Sequence, residues 1–390
     1  MTTKTNNEHK KVYVPNLRFP EFQGEWEKCK LGDLCNVLMC KRILASQTNT
    51  EEGVPFYKIG TIGNAPDAYI SKELFDDYKT KYNYPHKGEV MITCAGTVGK
   101  CIIYDGKDAY YQDSNIVWID NSSQCISNSF LYHLLAKVDW RKLNSTTIIR
   151  IYNDDLRNLK LSYPQIEEQQ KISRLLSFLD ERFATQNKII EDLKMLKSAI
   201  IEKLYKEIQG TWYSYRQLFS IINERNKQLE YSNVLSASQE RGMVSREDLN
   251  LDIHFERSNI STYKIVKNGD YVIHLRSFQG GFAFSEKTGI CSPAYTVLRP
   301  NNLLVYGYLS NYFTSRDFVK SLIIVTYGIR DGRSINVDEW LDMKVVIPSK
   351  EQQTHIVNVI ESIENKIKNE ETYSNCLLNQ KQYLLRQMFI

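Results

Sequence analysis

The chain has 390 residues, of which 42% are hydrophobic and 25% are charged, with a formal net charge of +4. This composition fits a globular protein of two or three domains and excludes a largely disordered or collagen-like chain. The small charge permits nucleic-acid binding without arguing for it. The polar start of the chain has no signal-peptide core, and no run of 18 apolar residues predicts a membrane span. We therefore expect a cytoplasmic protein with no membrane partner.

The eight cysteines are scattered, without a Cys-x-x-Cys pair. The nearest grouping is Cys29, Cys35 and Cys40, and no histidine cluster accompanies it. This pattern favours reduced thiols over zinc ligands or disulfides. No metal site is predicted.

In chain order, a mixed globular segment comes first. The segments "GEVMIT", "KCIIY" and "SNIVWI" are rich in β-branched and aromatic residues and predict short strands, whereas "NSFLYHLLAKVDWRKL" has helical spacing. The phrase "PQIEEQQKI" (Pro164 to Ile172) then opens a long helical pattern, with acids in the first turn that complement the helix dipole. A second mixed segment and a second long helix follow.

The second helix opens with nearly the same phrase, "PSKEQQTHI", 184 residues later. The same offset brings "IYNDDLRNLKL" onto "INVDEWLDMKV" and continues without a gap to the end of the chain. Further upstream the match is looser: Trp26 resembles Trp212, and "KGEVMIT" resembles "NGDYVIH". The sequence is therefore an internal repeat.

The repeat predicts an α+β fold of two mixed α/β domains and two long helices, related by an internal pseudo-twofold axis. The expected divisions are an N-terminal segment (1–25), a first domain (26–161), a first helix (162–210), a second domain (211–346) and a second helix (347–390).

Both helices carry apolar residues in alternating steps of four and three, which indicates a heptad seam. Its polar interruptions at Gln186 and Lys197 recur at Glu370 and Lys381. A coiled coil between the two helices buries both stripes most simply; packing of each helix on its own domain is the alternative. The apolar seam positions are Ile172, Leu176, Leu179, Phe183, Ile190, Leu193, Ile200, Leu204, Ile356, Ile360, Ile363, Ile367, Leu377, Leu384 and Met388.

No catalytic motif is present. "AGTVGK" (Ala95 to Lys100) has two residues between its glycines where a P-loop needs four, and Cys101 follows the lysine. "EDLK" (Glu191 to Lys194) loosely resembles a nuclease Glu-x-Lys pattern. It lies on a predicted long helix, which favours a solvated helix face over a nuclease site. We therefore predict that the chain has no catalytic residues and is not an enzyme by itself.

The ordered set of features resembles the specificity (S) subunits of type I restriction-modification enzymes. "VPNLRFPEFQGEWEKCKLGDL" resembles the start of such subunits, and "KGEVMITCAGTVGK" and "NGDYVIHLRSFQGG" resemble the strand-turn segment of their target-recognition domains. "PQIEEQQKI" and "PSKEQQTHI" resemble the openings of their two conserved helices. The resemblance covers nearly the whole chain.

This resemblance implies that each domain, 26–161 and 211–346, reads one half of an asymmetric, bipartite site in double-stranded DNA. The two helices would run antiparallel, set the unread spacer and dock two methyltransferase subunits. Two restriction subunits can join such a complex, which is then an adenine-N6 DNA methyltransferase and an ATP-dependent endonuclease. S-adenosylmethionine, ATP and Mg²⁺ would bind those partners, so no cofactor is expected in this chain.

Cations and small polar residues on loops are the expected DNA contacts, because arginine, lysine, amides and hydroxyls read base edges and hold phosphates. The second pre-helix loop also has Gly328 and Gly332, which let a backbone approach DNA closely. The candidates are Lys41, Arg42, Lys58, Thr97, Lys100, Thr147, Arg150 and Tyr152 in the first domain, and Arg276, Ser277, Gln279, Tyr327, Arg330 and Arg333 in the second.

Two other functions stay open from the sequence. One is an enzyme with an unrecognised site, which the missing methyltransferase and nuclease signatures disfavour. The other is a coiled-coil adaptor that binds proteins and never reads a DNA sequence.

Overall fold

A computed structural model describes residues 13–142, 150–238, 241–249, 257–274, 281–327 and 334–390. Their contacts divide the chain into two compact units. The first unit comprises the residues up to Gln186 together with Tyr373–Ile390, and the second comprises Asn187–Thr372. Each unit thus combines a globular part with segments of both long helices. The domain bounds expected from the sequence stay a prediction.

Short strands and helices make up the first globular part. The strands are β1 (Glu27–Lys30), β2 (Asn36–Leu38), β3 (Val54–Tyr57), β4 (Tyr69–Ile70), β5 (Val90–Thr93), β6 (Cys101–Ile103), β7 (Tyr110–Tyr111), β8 (Ile116–Asp120) and β9 (Lys160–Tyr163). The helices are α1 (Leu31–Leu34), α2 (Lys72–Lys81), α3 (Asn128–Lys137) and α4 (Asn153–Arg157), followed by the long α5 (Ile166–Lys206).

The second globular part has the same mixed composition. Its strands are β10 (Thr211–Ser214), β11 (Phe219–Ile222), β12 (Leu235–Ser238), β13 (Gly242–Ser245), β14 (Lys264–Val266), β15 (Tyr271–Ile273), β16 (Phe282–Phe284), β17 (Gly289–Cys291), β18 (Thr296–Pro300), β19 (Thr326–Tyr327), β20 (Ser334–Ile335) and β21 (Lys344–Ile347). Its α-helices are α6 (Tyr215–Leu218), α7 (Arg316–Ser321) and α8 (Val337–Asp342), and the long α9 (Lys350–Met388) follows. Short 3-10 helices lie at Ala45–Gln47, Arg246–Leu249, Arg257–Thr262, Tyr312–Thr314 and Leu322–Val325.

Each globular part is built around a four-stranded antiparallel sheet of the same order. The first sheet runs β2-β8-β5-β6 and the second runs β11-β18-β15-β16. The strands β5 and β8 are buried on both faces, which explains why "VMIT" and "IVWI" are continuously apolar rather than alternating. The two parts therefore share one frame.

Outside these sheets, a strand pair at the base of each globular part closes the repeat. In the first, Glu27 pairs with Tyr163; in the second, Thr211 pairs with Ile347, so the offset of 184 holds here as well. The match of Trp26 with Trp212 is therefore wrong by two residues. Trp26 is buried against Phe130, whereas Trp212 is 65% exposed on a strand. Strand pairing, not the shared tryptophan, sets the register.

The two long helices have 41 and 39 residues. Every predicted seam position on them is buried or half-buried. Within the first unit the start of α5 and the end of α9 belong to one core: Ile172 and Leu176 cluster with Met388 and Phe389. Within the second unit the end of α5 and the start of α9 do the same, through Ile201, Ile356 and Ile360. The paired segments run antiparallel in each unit, and each also packs on its globular part.

Candidate nucleic-acid interface

A buried glutamine fixes each globular part to the first turn of its long helix. In the first unit, Gln169 is fully buried. Its Nε2 donates to the carbonyls of Pro164 (2.8 Å) and Cys125 (3.0 Å), and its Oε1 accepts from the Ser127 amide (2.7 Å). Ser127 caps α3, so one side chain ties the helix start to the neighbouring helix of the domain.

The second unit repeats this arrangement with Gln353, which is also buried. Its Nε2 donates to the carbonyls of Pro348 (3.1 Å) and Leu303 (3.0 Å), and its Oε1 accepts from the Val305 amide (2.8 Å). Satisfying buried backbone groups in this way is what keeps a buried polar side chain from destabilising a core. The repeated phrase of the sequence is thus a repeated clamp, which orients each globular part on its helix.

The first junction has a further strap from the N-terminal segment. Arg18 forms a two-pronged ion pair with Glu168, with Nε–Oε1 at 2.8 Å and Nη2–Oε2 at 2.7 Å. The Glu168 side chain is 2% exposed. The position equivalent to Glu168 is Gln352, which is exposed. Its Oε1 accepts from the Ser349 amide at 3.4 Å.

Two of the four polar seam positions, Lys197 and Lys381, form matching ion pairs between the helices. Within the first unit Lys381 pairs with Asp180, and within the second Lys197 pairs with Glu364 (2.5 Å). The two lysines are repeat-equivalent, and so are the two acids. Polar residues at seam positions are known to fix the register of paired helices at a cost in stability.

Three of the predicted DNA-contacting cations meet at one cleft of the first globular part. Arg42, Lys58 and Arg150 line this space of about 440 Å³, which we call the arginine cleft. They come from segments far apart in the chain: Arg42 follows β2, Lys58 follows β3, and the Ile151 amide next to Arg150 donates to the Cys94 carbonyl after β5 at 2.9 Å. A local excess of positive charge in a concave surface is the electrostatic footprint that a nucleic-acid site requires.

Neighbouring groups orient these three side chains. Asp113 Oδ2 accepts from Arg42 Nε at 2.9 Å, and Asp67 pairs with Lys58 at 3.0 Å. Arg150 donates to the carbonyl of Ser114 at 3.4 Å. The Arg42 side chain is 67% exposed, so its terminal nitrogens face solvent and can donate to a ligand.

Lys41 and Tyr152 lie outside the cleft lining. The ammonium of Lys41 lies 5.3 Å from the ring centre of Tyr82. Tyr152 precedes α4 and is 61% exposed, and its ring stacks near the Arg150 guanidinium at 5.8 Å. Arginine over an aromatic face is a common way to hold a guanidinium in one orientation.

The other two candidates of this domain lie on the turn between β5 and β6. Lys100 Nζ donates to the carbonyl of Ile62 at 2.5 Å and so braces this turn against the neighbouring segment. Thr97 is exposed at the tip, and its carbonyl accepts from the buried Thr93 hydroxyl. The turn presents Thr97 to solvent, while the Lys100 ammonium is already engaged. Thr147 lies outside the described residues.

Most candidates in the second domain also lie outside the described residues: Arg276, Ser277, Gln279, Arg330 and Arg333. For Tyr327 the backbone is described, and it pairs with Ser334 in a two-residue ladder, β19 to β20. The strand β20 leads directly into α8. In the first domain, the segment that contains Arg150 and Tyr152 leads into α4 in the same way.

Sequence reasoning missed the polar turn "QDSN" between β7 and β8. Gln112, Asp113, Ser114 and Asn115 all line the arginine cleft. The signal in the sequence was a four-residue polar break between two strongly apolar strand segments, which is typical of a loop that carries function.

Among the described residues no group of three or more histidine, cysteine or acidic side chains is placed to hold a metal ion. All eight cysteines are free, and burial raises the pKa of Cys35, Cys40, Cys94, Cys101 and Cys291 to about 12. These thiols are therefore protonated at neutral pH. Within the described ranges no helix is long and apolar enough to cross a bilayer.

Known proteins similar to this chain are specificity subunits of type I restriction enzymes. Residues 23–195 match the family described as the type I restriction modification DNA specificity domain. A Haemophilus influenzae protein provisionally named a type I restriction enzyme specificity subunit is 48% identical over 166 residues, which is 43% of this chain and 42% of that protein. The chain thus spans less than half of that relative. The type I restriction enzyme MjaVIII specificity subunit of Methanocaldococcus jannaschii is 23% identical, over 90% of this chain and 88% of that one.

A solved structure supports the fold over almost the full length. The S subunit of the type I restriction-modification system from M. genitalium superposes with a TM-score of 0.56 at 14% identity, covering 97% of this chain and 99% of that chain. With the repeated clamp, the shared sheets and the long paired helices, these matches show that residues 23–195 are similar to the type I restriction modification DNA specificity domain and that the chain shares the fold of a type I S subunit.

Proposed function

We propose that this chain supplies the DNA sequence specificity of a type I restriction-modification complex in the cytoplasm. Each globular part reads one half of an asymmetric, bipartite site in double-stranded DNA. The long helices separate the two readers and dock methyltransferase subunits. Catalysis, and the binding of S-adenosylmethionine, ATP and Mg²⁺, belong to the partner subunits, so this chain acts without a catalytic residue of its own.

One observation carries the proposal: the sheets and junctions are repeated, whereas the turn before the corresponding strands β8 and β18 is not. The sheets, the basal strand pairs and the glutamine clamps recur in both halves. The turn between the two corresponding strands is "QDSN" before β8 but "SPAY" before β18. Two equal scaffolds with unequal surfaces suit a target whose two halves differ in sequence.

The length of the helices fits the spacer role. At 1.5 Å per residue, the 41 residues of α5 make a helix of about 60 Å. DNA readers that bind two half-sites usually place them about one helical turn, roughly 34–36 Å, apart. A pair of helices of this length is stiff enough to hold two readers at such a distance.

Exposed apolar side chains on the helices support docking of partner subunits. Ile189 on α5 and Tyr373 on α9 are repeat-equivalent, and each is 40% exposed. Phe178 and Met195 are more exposed still, at 56% and 64%. Apolar residues at equivalent places in the two halves suit two copies of one partner. We therefore propose that two methyltransferase subunits dock here; two restriction subunits can then complete the complex.

Methylome sequencing tests the proposal directly. Cells that carry this chain with its methyltransferase partner are expected to methylate adenines within two short specific segments separated by a fixed, unread spacer. Cells that carry the methyltransferase alone are the control and should show no such motif. Methylation without sequence preference, or within one uninterrupted motif, would contradict the proposal.

The spacer role has its own test. Insertion of a few helix-forming residues near Gly210 is expected to lengthen the spacer and leave both half-sites unchanged. An altered half-site with an unchanged spacer would show that the helices do not set the distance.

A further inference from the structure

The turn Gln112–Asn115 lines the arginine cleft and contacts two of its cations, Arg42 through Asp113 and Arg150 through the Ser114 carbonyl. We propose that this cleft reads base edges of the first half-site, and that Gln112 and Asn115 are specificity-determining residues. The inference deepens the proposed function and rests on it. None of the residues of this turn was among the candidates that the sequence indicated.

The turn is held rigidly between buried strands. The Gln112 amide donates to the Tyr57 carbonyl at 2.9 Å, and the Asn115 carbonyl accepts from the Cys94 amide at 2.7 Å. Ser114 has a φ of 59°, a left-handed conformation that is uncommon for a residue other than glycine. Such a conformation persists only where the surroundings determine it, and it is typical of binding sites. The side chains of the turn therefore start from fixed positions.

The cleft offers acceptors as well as donors. Gln112 Oε1 is buried and has no hydrogen-bond donor among the described residues. A buried acceptor without a donor is costly, so a ligand that supplies one is favoured. Asp113 adds a carboxylate beside Arg42. The amino groups of adenine and cytosine are donors of the kind that such acceptors bind in the major groove.

This mixture distinguishes base edges from phosphates. A site that only holds the DNA backbone needs cations, and a carboxylate within it would repel the phosphate. Base edges present donors and acceptors side by side: arginine pairs with guanine, and glutamine or asparagine pairs with adenine. Arg42 with free terminal nitrogens, Gln112 with an unused acceptor and Asn115 form such a set.

The test uses the full chain in complex with its methyltransferase partner and a library of DNA duplexes randomised over the first half-site. Gln112→Ala and Asn115→Ala are each expected to weaken discrimination at a base position of the first half-site by about ten- to a hundredfold. The second half-site should keep its full preference, which serves as an internal control for folding. Gln23→Ala, an exposed glutamine away from the cleft, is the matched control and should leave both half-sites unchanged.

The Gln112→Glu variant should change which base is preferred at one position of the first half-site, rather than only weaken the preference. A carboxylate accepts from the cytosine amino group but cannot donate to adenine, so the preferred base at that position should shift toward cytosine. Unchanged preferences in the two alanine variants, or a uniform loss of affinity for all sequences, would overturn the inference and leave the proposed function intact. Absence of any preference in the unmodified complex would instead refute the proposed function itself.

Discussion

The two halves of the molecule make matching hydrogen bonds where each globular part meets its long helix. They differ in the side-chain partners and turns that surround the two sheets. Gln169 and Gln353 are buried and make the same set of three hydrogen bonds. The strap from Arg18 to Glu168 lies in the first half. The second half therefore keeps the clamp, the basal strand pair and the shared core, but has Gln352 where the first half has Glu168.

The same contrast recurs at the turn before the central strand of each sheet. Glu89 accepts from the His86 amide (2.6 Å), and Asp270 accepts from the Lys267 amide (2.8 Å), so each acid closes the same turn. Asp270 also binds Arg299, whereas in the first half Asp120 is near Glu89. Burial above all, with a smaller contribution from Asp120, raises the pKa of Glu89. Both acids thus accept from the backbone amide of their turn, but the neighbouring side chain is Asp120 in the first half and Arg299 in the second.

Arg18→Ala should have the largest effect and should act on the first half alone. It leaves the carboxylate of Glu168, with a side chain 2% exposed, buried without its partner, which costs about 3–5 kcal/mol. Hydrogen-exchange mass spectrometry should show faster exchange at the start of α5. Gln352→Ala, at the equivalent position of the second half, is the matched control and should cost less than about 0.5 kcal/mol.

A second variant checks the cause. Replacing both Arg18 by Ala and Glu168 by Gln removes the unpaired charge and should recover most of the lost stability. Arg18→Ala alone with unchanged exchange at the start of α5 would show that the strap contributes nothing.

Gln169→Leu and Gln353→Leu should each destabilise their own half by about 2–4 kcal/mol. Each leaves buried backbone groups of the junction without partners, at about 1–3 kcal/mol for each group. Exchange should rise at α3 and the start of α5 in the first variant, and around Leu303–Val305 and the start of α9 in the second. Clearly unequal effects would mean that the two clamps are not equivalent.

Acid should weaken the first half through His133. Burial, and next the charge of Lys381, lower its pKa from 6.5 to about 4, while Asp180 opposes the shift. At pH values between about 4 and 6.5, His133 therefore binds fewer protons in the folded state than in the unfolded state. Stability is therefore lost as the pH falls from about 6.5 toward 4, by about 3 kcal/mol in total. Urea unfolding followed at pH 7 and pH 5 should show about 2 kcal/mol of this loss.

His133→Leu should remove most of this pH dependence, while His355→Leu, at an exposed site on α9, should leave it unchanged. A pH dependence that is the same in the His133→Leu variant would assign the effect to other groups.

The ion pairs of the seam should have the smallest effects. Lys381→Met and Lys197→Met remove equivalent, partly exposed pairs and should each change stability by less than about 1 kcal/mol. Only Lys381→Met should also raise the pKa of His133 and reduce the acid sensitivity of the first half. An equal change in the two variants would contradict the role given to Lys381.

Much of this architecture follows from the sequence because its signals are local. The heptad spacing and the repeated opening phrase predicted both long helices, and the structure begins them at Ile166 and Lys350. The strands β5 and β8 followed from apolar, β-branched segments. In contrast, the match of Trp26 with Trp212 failed, because a shared residue type carries no information about strand register.

The functional surface depended more on the tertiary structure. Arg42, Lys58 and Arg150 were candidates individually. The pairing of β2 with β8 and of β3 with β7, together with the hydrogen bond from the Ile151 amide to the Cys94 carbonyl, brings them to one cleft. Gln112 and Asn115 gain their significance from that cleft, whereas the Lys100 ammonium donates to the Ile62 carbonyl and its contact with DNA stays a prediction.

The sequence by itself determined the repeated frame of this protein: two domains, two seamed helices and the junctions between them. Periodicity and turn chemistry act between residues a few positions apart, so they can be recognised along the chain. The tertiary structure alone decided what the repeated junction glutamines bind and which polar groups share a cleft. Those outcomes depend on contacts between residues far apart in sequence, which strand pairing and burial establish only when the chain folds.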